Sequence, residues 1–294
     1  MIAASNAPAL GVDTTKRPAS RLQSRRLDRA GRCGYRHAMA LEIRQFPCLS
    51  DNYGYLVRDL ETGAVATIDT PDAGAINAAL AREGWRLTHI LNTHWHPDHA
   101  GGNLALKEQW GCRIIGPKGE AAKIPGIDEA VGDGDEVRLG ASTAMVRDTP
   151  GHTLGHVIYY FGDDGAAFVG DTIFALGCGR LFEGTPEMMW ASLSKIAALP
   201  PATRLYCAHE YTQANARFAV TVDPANEKLK RRVEEIDALR AGNKPTVPST
   251  LSDELETNPF LRAGNSGVQQ AVGLSGRDLV AVFAEIRRRK DNFR

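Results

Sequence analysis

The chain has 294 residues, 43% of them hydrophobic and 24% charged, which suits a globular protein of one large or two modest domains. Its 35 Lys and Arg balance 35 Asp and Glu, so no overall field favours nucleic acid or a membrane surface. No run of about 18 apolar residues occurs, which excludes a helical membrane span, and five scattered cysteines without CxxC spacing fit free thiols in a reducing, cytoplasmic setting better than a disulfide framework.

Residues 1–39 stand apart from the rest. The stretch TTKRPASRLQSRRLDRAGRCGYRH is rich in Arg and Ser, has no sustained apolar periodicity and lacks the apolar core of a secretory signal. A disordered leader is expected, or a true start at Met39. A transit peptide, against which Asp13 and Asp28 argue, would instead direct the chain to an organelle. From residue 41 short strands alternate with turn signals: LEIRQF (41–46), YGYLVR (53–58) and AVATID (64–69), separated by SDN and ETG. AGAINAALARE (73–83) has helical periodicity, LTHILNT (87–93) reads as a strand, NLALKEQW (103–110) as a helix and CRIIG (112–116) as a strand. DEVRL (135–139), TAMVRDT (143–149), HVIYYF (156–161) and AAFVG ahead of Asp171 continue as strands. PEMMWASLSKIAAL (186–199) is a helix opened by Pro186, and RLYC (204–207) is a last strand. Beyond this the pattern becomes helical, in TQANARFAVTV (212–222), ANEKLKRRVEEIDALRAG (225–242) and SGRDLVAVFAEIRRRKDN (275–292). Strands followed by helices predict two regions with a boundary near residue 210.

THWHPDHAGG (93–102) starts where one strand ends. Only 8 histidines occur in the chain, so three within six positions at HxHxDH spacing mark a metal site. His94 and His96, two residues apart on extended backbone, project to the same side and can share an ion. Pro97 turns the chain and re-aims Asp98 and His99, so a second ion beside the first is the economical arrangement. Two ions need more ligands, and three other strand ends offer them: His152 in TPGHTLGH, Asp171 in FVGDT and His209 in YCAHEYT. His37 in the leader and His89 within a strand are expected to have no role. His156 either orients a ligand or is buried with a local hydrogen bond. GxSxG is absent, so the chemistry needs no serine nucleophile.

THWHPDH, GHTLGH, GDT and AHE, in that order, resemble the metallo-β-lactamase superfamily. Within it the chain from about residue 41 to 294 is most similar to glyoxalase II, the hydroxyacylglutathione hydrolase family, through LSDNYGYLV, GCGRLFEGT, AHEYT, KPTVPSTLSDELETNPFLR and RRRKDNF. The resemblance implies an α+β fold, an αββα metallo-β-lactamase sandwich as catalytic domain (40–210) followed by a C-terminal helical substrate-binding domain (211–294). It assigns His94, His96 and His152 to the first of two divalent ions and Asp98, His99 and His209 to the second. Asp171 would bridge both, making Asp98 and Asp171 the catalytic carboxylates. Zinc is the expected metal, although an all-N/O ligand set also suits iron or manganese.

The implied reaction is hydrolysis of the thioester S-D-lactoylglutathione to D-lactate and glutathione, in methylglyoxal detoxification. The leaving thiolate, with a pKa of about 8.5, departs without a strong acid. Glutathione would meet Arg180, Tyr211, Arg287 and Lys290, whereas Arg288 and Arg289 belong to a solvated face. Phe182 stands where some members carry tyrosine, and Cys178 has no expected chemical role. The implied protein is a monomer that acts on a small-molecule glutathione thioester, with no nucleic-acid or membrane partner. The same superfamily offers one alternative, a mononuclear iron persulfide dioxygenase, against which GCGRLFEG and PTVPSTL argue.

Overall fold

A computed structural model of the chain describes residues 40–293; the leader expectations, His37 and Cys33 lie outside the described residues. The first sheet contains β1 (Leu41–Cys48), β2 (Asn52–Asp59), β3 (Val65–Ile68), β4 (His89–Leu91), β5 (Arg113–Pro117) and β6 (Glu129–Val131), in that spatial order. Its first three strands run antiparallel and the rest parallel, with crossovers through α1 (Ala73–Glu83), α2 (Pro97–Ala100) and α3 (Asn103–Trp110). The second sheet has the order β14-β13-β10-β9-β8-β7, from β7 (Glu136–Leu139), β8 (Ser142–Asp148), β9 (Val157–Phe161), β10 (Ala166–Gly170), β13 (Arg204–Cys207) and β14 (Ser249–Thr250). A two-stranded ribbon, β11 (Ile173–Phe174) with β12 (Gly177–Cys178), follows β10 and leads into α4 (Pro186–Ala197).

The alternation of side chains along β2 accounts for the layering. Leu56 joins a cluster with Ile76, Leu80 and Leu106 of α1 and α3, while Tyr55 and Val57 join the other cluster with Val146, Tyr159 and Phe168 of the second sheet. Strands apolar on both faces need cover on both faces, and the result is two mixed sheets packed together between helical layers. On the outer side of the second sheet, Met189, Leu193 and Ile196 of α4 share the larger cluster with Val282, Phe283 and Ile286 of α9 (Leu279–Asp291).

The remaining helices are α5 (Thr212–Val222), α6 (Glu227–Ala241), α7 (Leu251–Thr257) and α8 (Ser266–Val272). The sequence places α1, α3 and α5 at their observed bounds but starts α6 and α9 too early. Asn226 and Asp278 set the true starts by accepting backbone N–H groups of the first turn. Among the described residues no helix is long and apolar enough to cross a membrane, and Cys48, Cys112, Cys178 and Cys207 are free and buried.

Candidate metal centre

The seven residues singled out at strand ends meet at one edge of the two sheets. His94 and His96 lie on the loop past β4, and Asp98 and His99 fall in the short helix that Pro97 opens. His152 precedes β9, Asp171 follows β10 and His209 follows β13. A backbone bridge between Asn52 and His209, with Tyr53 N–H donating to Ala208 C=O at 2.7 Å, fastens the start of β2 to this edge. The expected strand through Thr93 ends at Leu91, so HxH is loop rather than strand. The two rings nevertheless converge, with His94 Nε2 3.0 Å from His96 Nδ1 and His152 Nε2 3.1 Å from that same atom.

Two ligand sets emerge. His94, His96 and His152 form one three-residue group, and Asp98, His99 and His209 form another. Asp171 lies between them: Oδ2 is 3.3 Å from His152 Nε2, while Oδ1 is 3.5 Å from both His99 Nε2 and His209 Nε2. Asp98 Oδ2 stands 3.4 Å from His99 Nε2 and 3.5 Å from His209 Nε2. Tetrahedral zinc with Zn–N bonds of about 2.05 Å has ligand atoms roughly 3.3 Å apart, so these spacings fit an ion inside each set. Buried His99 Nε2 and Asp171 Oδ1 make no hydrogen bond, which leaves both atoms facing the gap without a partner. The cluster thus fits a dinuclear metal site.

Hydrogen bonds on the far side of the rings fix the tautomers. His99 Nδ1 donates to Asp69 at 2.8 Å, His209 Nδ1 to Asp51 at 2.8 Å and His152 Nδ1 to the Arg180 carbonyl at 2.9 Å, so in each ring Nε2 is the nitrogen that faces inward. Asp69 also accepts from Thr93 N–H and Oγ. Its backbone is left-handed (φ 56°), a conformation costing about 1–3 kcal/mol that this web of bonds sustains. Asn52 Nδ2 donates to Asp98 Oδ2 at 3.2 Å. Buried His156 satisfies both sequence readings, because its Nε2 accepts the Asp171 N–H at 3.1 Å and thereby sets the carboxylate's backbone. Gly170 is required beside it: at φ 48° a Cβ would stand 2.6 Å from His156 Nε2.

Sequence reasoning passed over Asp69, Asp51 and Asn52. Asp69 ends the strand AVATID just as Asp171 ends AAFVG, so the criterion that found one applied to the other. Asp51 and Asn52 lie in SDN, residue types that signal a turn.

Charge differs between the two sets. Burial, reinforced by the neighbouring imidazoles, holds His94 and His96 below the usual histidine range; burial also lowers His152, against the pull of Asp171. These three rings are neutral and ready to ligate. At His99 and His209 burial works downward, but the Asp171 carboxylate together with Asp69 and Asp98 at His99, and with Asp51 at His209, outweighs it, so both are raised. Asp98 and Asp171 are lowered, burial being overcome by the imidazolium of His99, joined at Asp171 by that of His209. Metal entering the second set therefore competes with protons for His99 and His209.

A cavity of about 430 Å³ opens onto the cluster, lined by His96, Asp98, Phe174, Arg180, Tyr211 and Lys290 among others. The Tyr211 ring stacks parallel on His209 at 4.8 Å. Lys290 Nζ donates to Ala214 C=O at 3.2 Å, and Phe182, 61% exposed, stands edge-on to His152 at the rim. Arg287, on the cavity wall, is 5% exposed; it donates to Cys178 C=O at 2.8 Å, fastening α9 to the ribbon, and pairs within α9 with Asp291 at 2.8 Å. Burial pushes the Cys178 thiol up to about 11, so it stays protonated. Arg289, expected on a solvated face, instead donates to the carbonyls of Ala271 and Val272 at the end of α8, while Arg288 pairs with Glu285.

Two adjoining family models match the chain: the metallo-β-lactamase superfamily over residues 54–209 and the hydroxyacylglutathione hydrolase C-terminus over 210–293. The chain is 59% identical over 256 residues to a hydroxyacylglutathione hydrolase of Hyphomonas neptunium, spanning 87% of this chain and all (100%) of that protein. It is 57% identical over 254 residues to the hydroxyacylglutathione hydrolase of Methylococcus capsulatus, covering 86% and 99% of the two chains. Among solved structures it is similar to a metallo-β-lactamase from Staphylococcus aureus, with a TM-score of 0.59 over 86% of this chain and 72% of that one. At 21% identity that likeness is one of fold.

Proposed function

The chain belongs to the hydroxyacylglutathione hydrolase family of the metallo-β-lactamase superfamily, and on that premise we propose how its residues divide the hydrolysis of S-D-lactoylglutathione to D-lactate and glutathione. His94, His96 and His152 would hold one divalent ion, Asp98, His99 and His209 the other, with Asp171 shared. When bound, two such ions supply hydroxide at neutral pH and positive charge for a developing oxyanion. Asp171 and Asp98 would offset part of their positive charge, and the buried rings exclude competing water from the ligand side. Zinc is the metal we favour from the nitrogen-rich set.

Arg180 and Lys290 offer cations to the carboxylates of glutathione, and Tyr211 offers a ring face and a hydroxyl at the cavity wall. Arg287 belongs to the same wall, and its bonds to Cys178 and Asp291 suit it to holding the α9 cations over the cavity. We read residues 40–210 as the catalytic region and 211–294 as the substrate-binding region of a cytoplasmic monomer.

The observation that carries this reading is Asp171, with its two oxygens facing different ligand sets at the floor of a cavity bearing Arg180 and Lys290. Purified protein is expected to release glutathione thiol from S-D-lactoylglutathione, to contain two metal ions per chain and to lose all activity in EDTA. A single bound iron, with oxygen uptake on glutathione persulfide, would replace this reading with the dioxygenase one.

A further inference from the structure

Outside the ligand atoms the most unusual buried charge is Glu120, in the 3₁₀ turn Lys118–Lys123 that follows β5. It is 3% exposed and forms no ion pair among the described residues. A buried carboxylate without a cation is costly for the fold unless hydrogen bonds satisfy it. Its two oxygens are instead divided between two loops. Oε2 accepts the Trp95 N–H at 3.0 Å, and Oε1 accepts the Gly155 N–H at 2.9 Å.

Trp95 is the residue between His94 and His96, so a tilt of its peptide re-aims both rings. Gly155 lies three residues past His152, on the loop that delivers the third ring. A Cβ at Gly155 would come within 2.5 Å of Glu120 Cγ, so glycine there is what admits the carboxylate. Glu183 repeats the pattern at the surface, accepting the Trp95 indole N–H at 3.2 Å and the Leu154 N–H at 2.9 Å.

We propose that Glu120 is a positioning residue that locks the HxH loop to the His152 loop and so sets the metal affinity of the His94, His96 and His152 set alone. The second set, Asp98, His99 and His209, is oriented by Asn52, Asp69 and Asp51, none of which is hydrogen-bonded to Glu120. This inference rests on the two-metal reading above. Gln at 120 has one acceptor oxygen for two N–H groups and turns an NH₂ against the other, so one loop is released. Loss of such an outer hydrogen-bond partner typically costs about 10- to 100-fold in metal affinity.

The test uses full-length wild type, Glu120→Gln and Glu120→Asp, stripped with a chelator and titrated with Zn(II) against a chromophoric competitor. Ions per chain are counted by native mass spectrometry, and the metal-free melting temperature is recorded. Two ions are expected in wild type. Glu120→Gln should hold one at wild-type affinity and the other about 10- to 100-fold more weakly. In a His209→Ala background the same change should weaken the remaining ion, and in a His152→Ala background it should not. Should Glu120→Gln fail to fold, Glu120→Asp, one methylene short of spanning both loops, is judged by the same criteria. Equal weakening of both ions, no weakening, or the reverse dependence on background overturns the proposal. Wild type binding fewer than two ions overturns the two-metal reading, and the proposal with it.

Discussion

Each oxygen of Asp171 faces a different ligand set, so Asp171→Ala removes a donor from both at once. Activity is expected to fall by more than the about 100-fold that loss of an outer hydrogen-bond partner costs, with the circular dichroism of the folded chain retained. A variant keeping most of its activity would remove the shared role. Lys290 is pushed down to about 8, by burial first and then by Arg287, Arg217 and Arg180. The sign follows directly: below about 8 the side chain is a cation able to meet a substrate carboxylate, and above it the charge is lost. kcat/KM, which reports the free enzyme, should therefore decline as pH rises through about 8, approaching about tenfold per unit, and Lys290→Met should lack that limb. A limb that survives in Lys290→Met belongs to another group.

At the scale of elements, α7 carries an interaction that holds the helical region to the ribbon. Buried Glu254 pairs with Arg232 of α6, accepts the Leu176 N–H at 2.9 Å and receives Asn258 Nδ2 at 2.9 Å. Glu254→Ala strips the Arg232 guanidinium of its carboxylate and leaves the buried Leu176 N–H without a partner, while Asn258 Nδ2 keeps the Phe174 and Gly177 carbonyls, so unfolding free energy should drop by about 3–5 kcal/mol in denaturant titrations. Little change there would mean that water replaces the carboxylate. This helix was also the harder kind to read from sequence. Its seven residues are too few for a periodic signal, and only the capping box of Thr250 and Asp253 announces it. Helices with eleven apolar-patterned residues, α1 and α5, were legible to their ends. All seven candidate ligands could be named because metal chemistry restricts residue type at strand ends. Of their outer partners only Asp69, at a strand end, met the same test; Asp51 and Glu120 look like ordinary polar residues until distant segments are brought together.

For the whole molecule the informative fact is that one apolar cluster runs from Leu41 to Ile286. A break in sequence character near residue 210 suggests that the last helix could be cut away with the metal cluster left intact. Val282, Phe283 and Ile286 are 0% exposed and pack among Met189 and Phe260, so that expectation does not follow from the packing. Deleting residues 275–294 is expected to yield insoluble or molten protein, detected by loss of a cooperative thermal transition. A soluble truncated chain that melts sharply would show the core to be complete without α9. Substrate contacts at this end of the chain are therefore better probed one side chain at a time.

Trp95 leads to a consequence of another kind. Its indole sits between two ring-bearing neighbours, hydrogen-bonded to Glu183 and with the Lys123 ammonium 4.5 Å above it. Arrival of a divalent charge on either side changes the electric field across that indole, and indole emission responds to local field. Of the four tryptophans, it is the one placed to act as a fluorophore for filling of the adjoining set, so occupancy can be followed optically without any added dye.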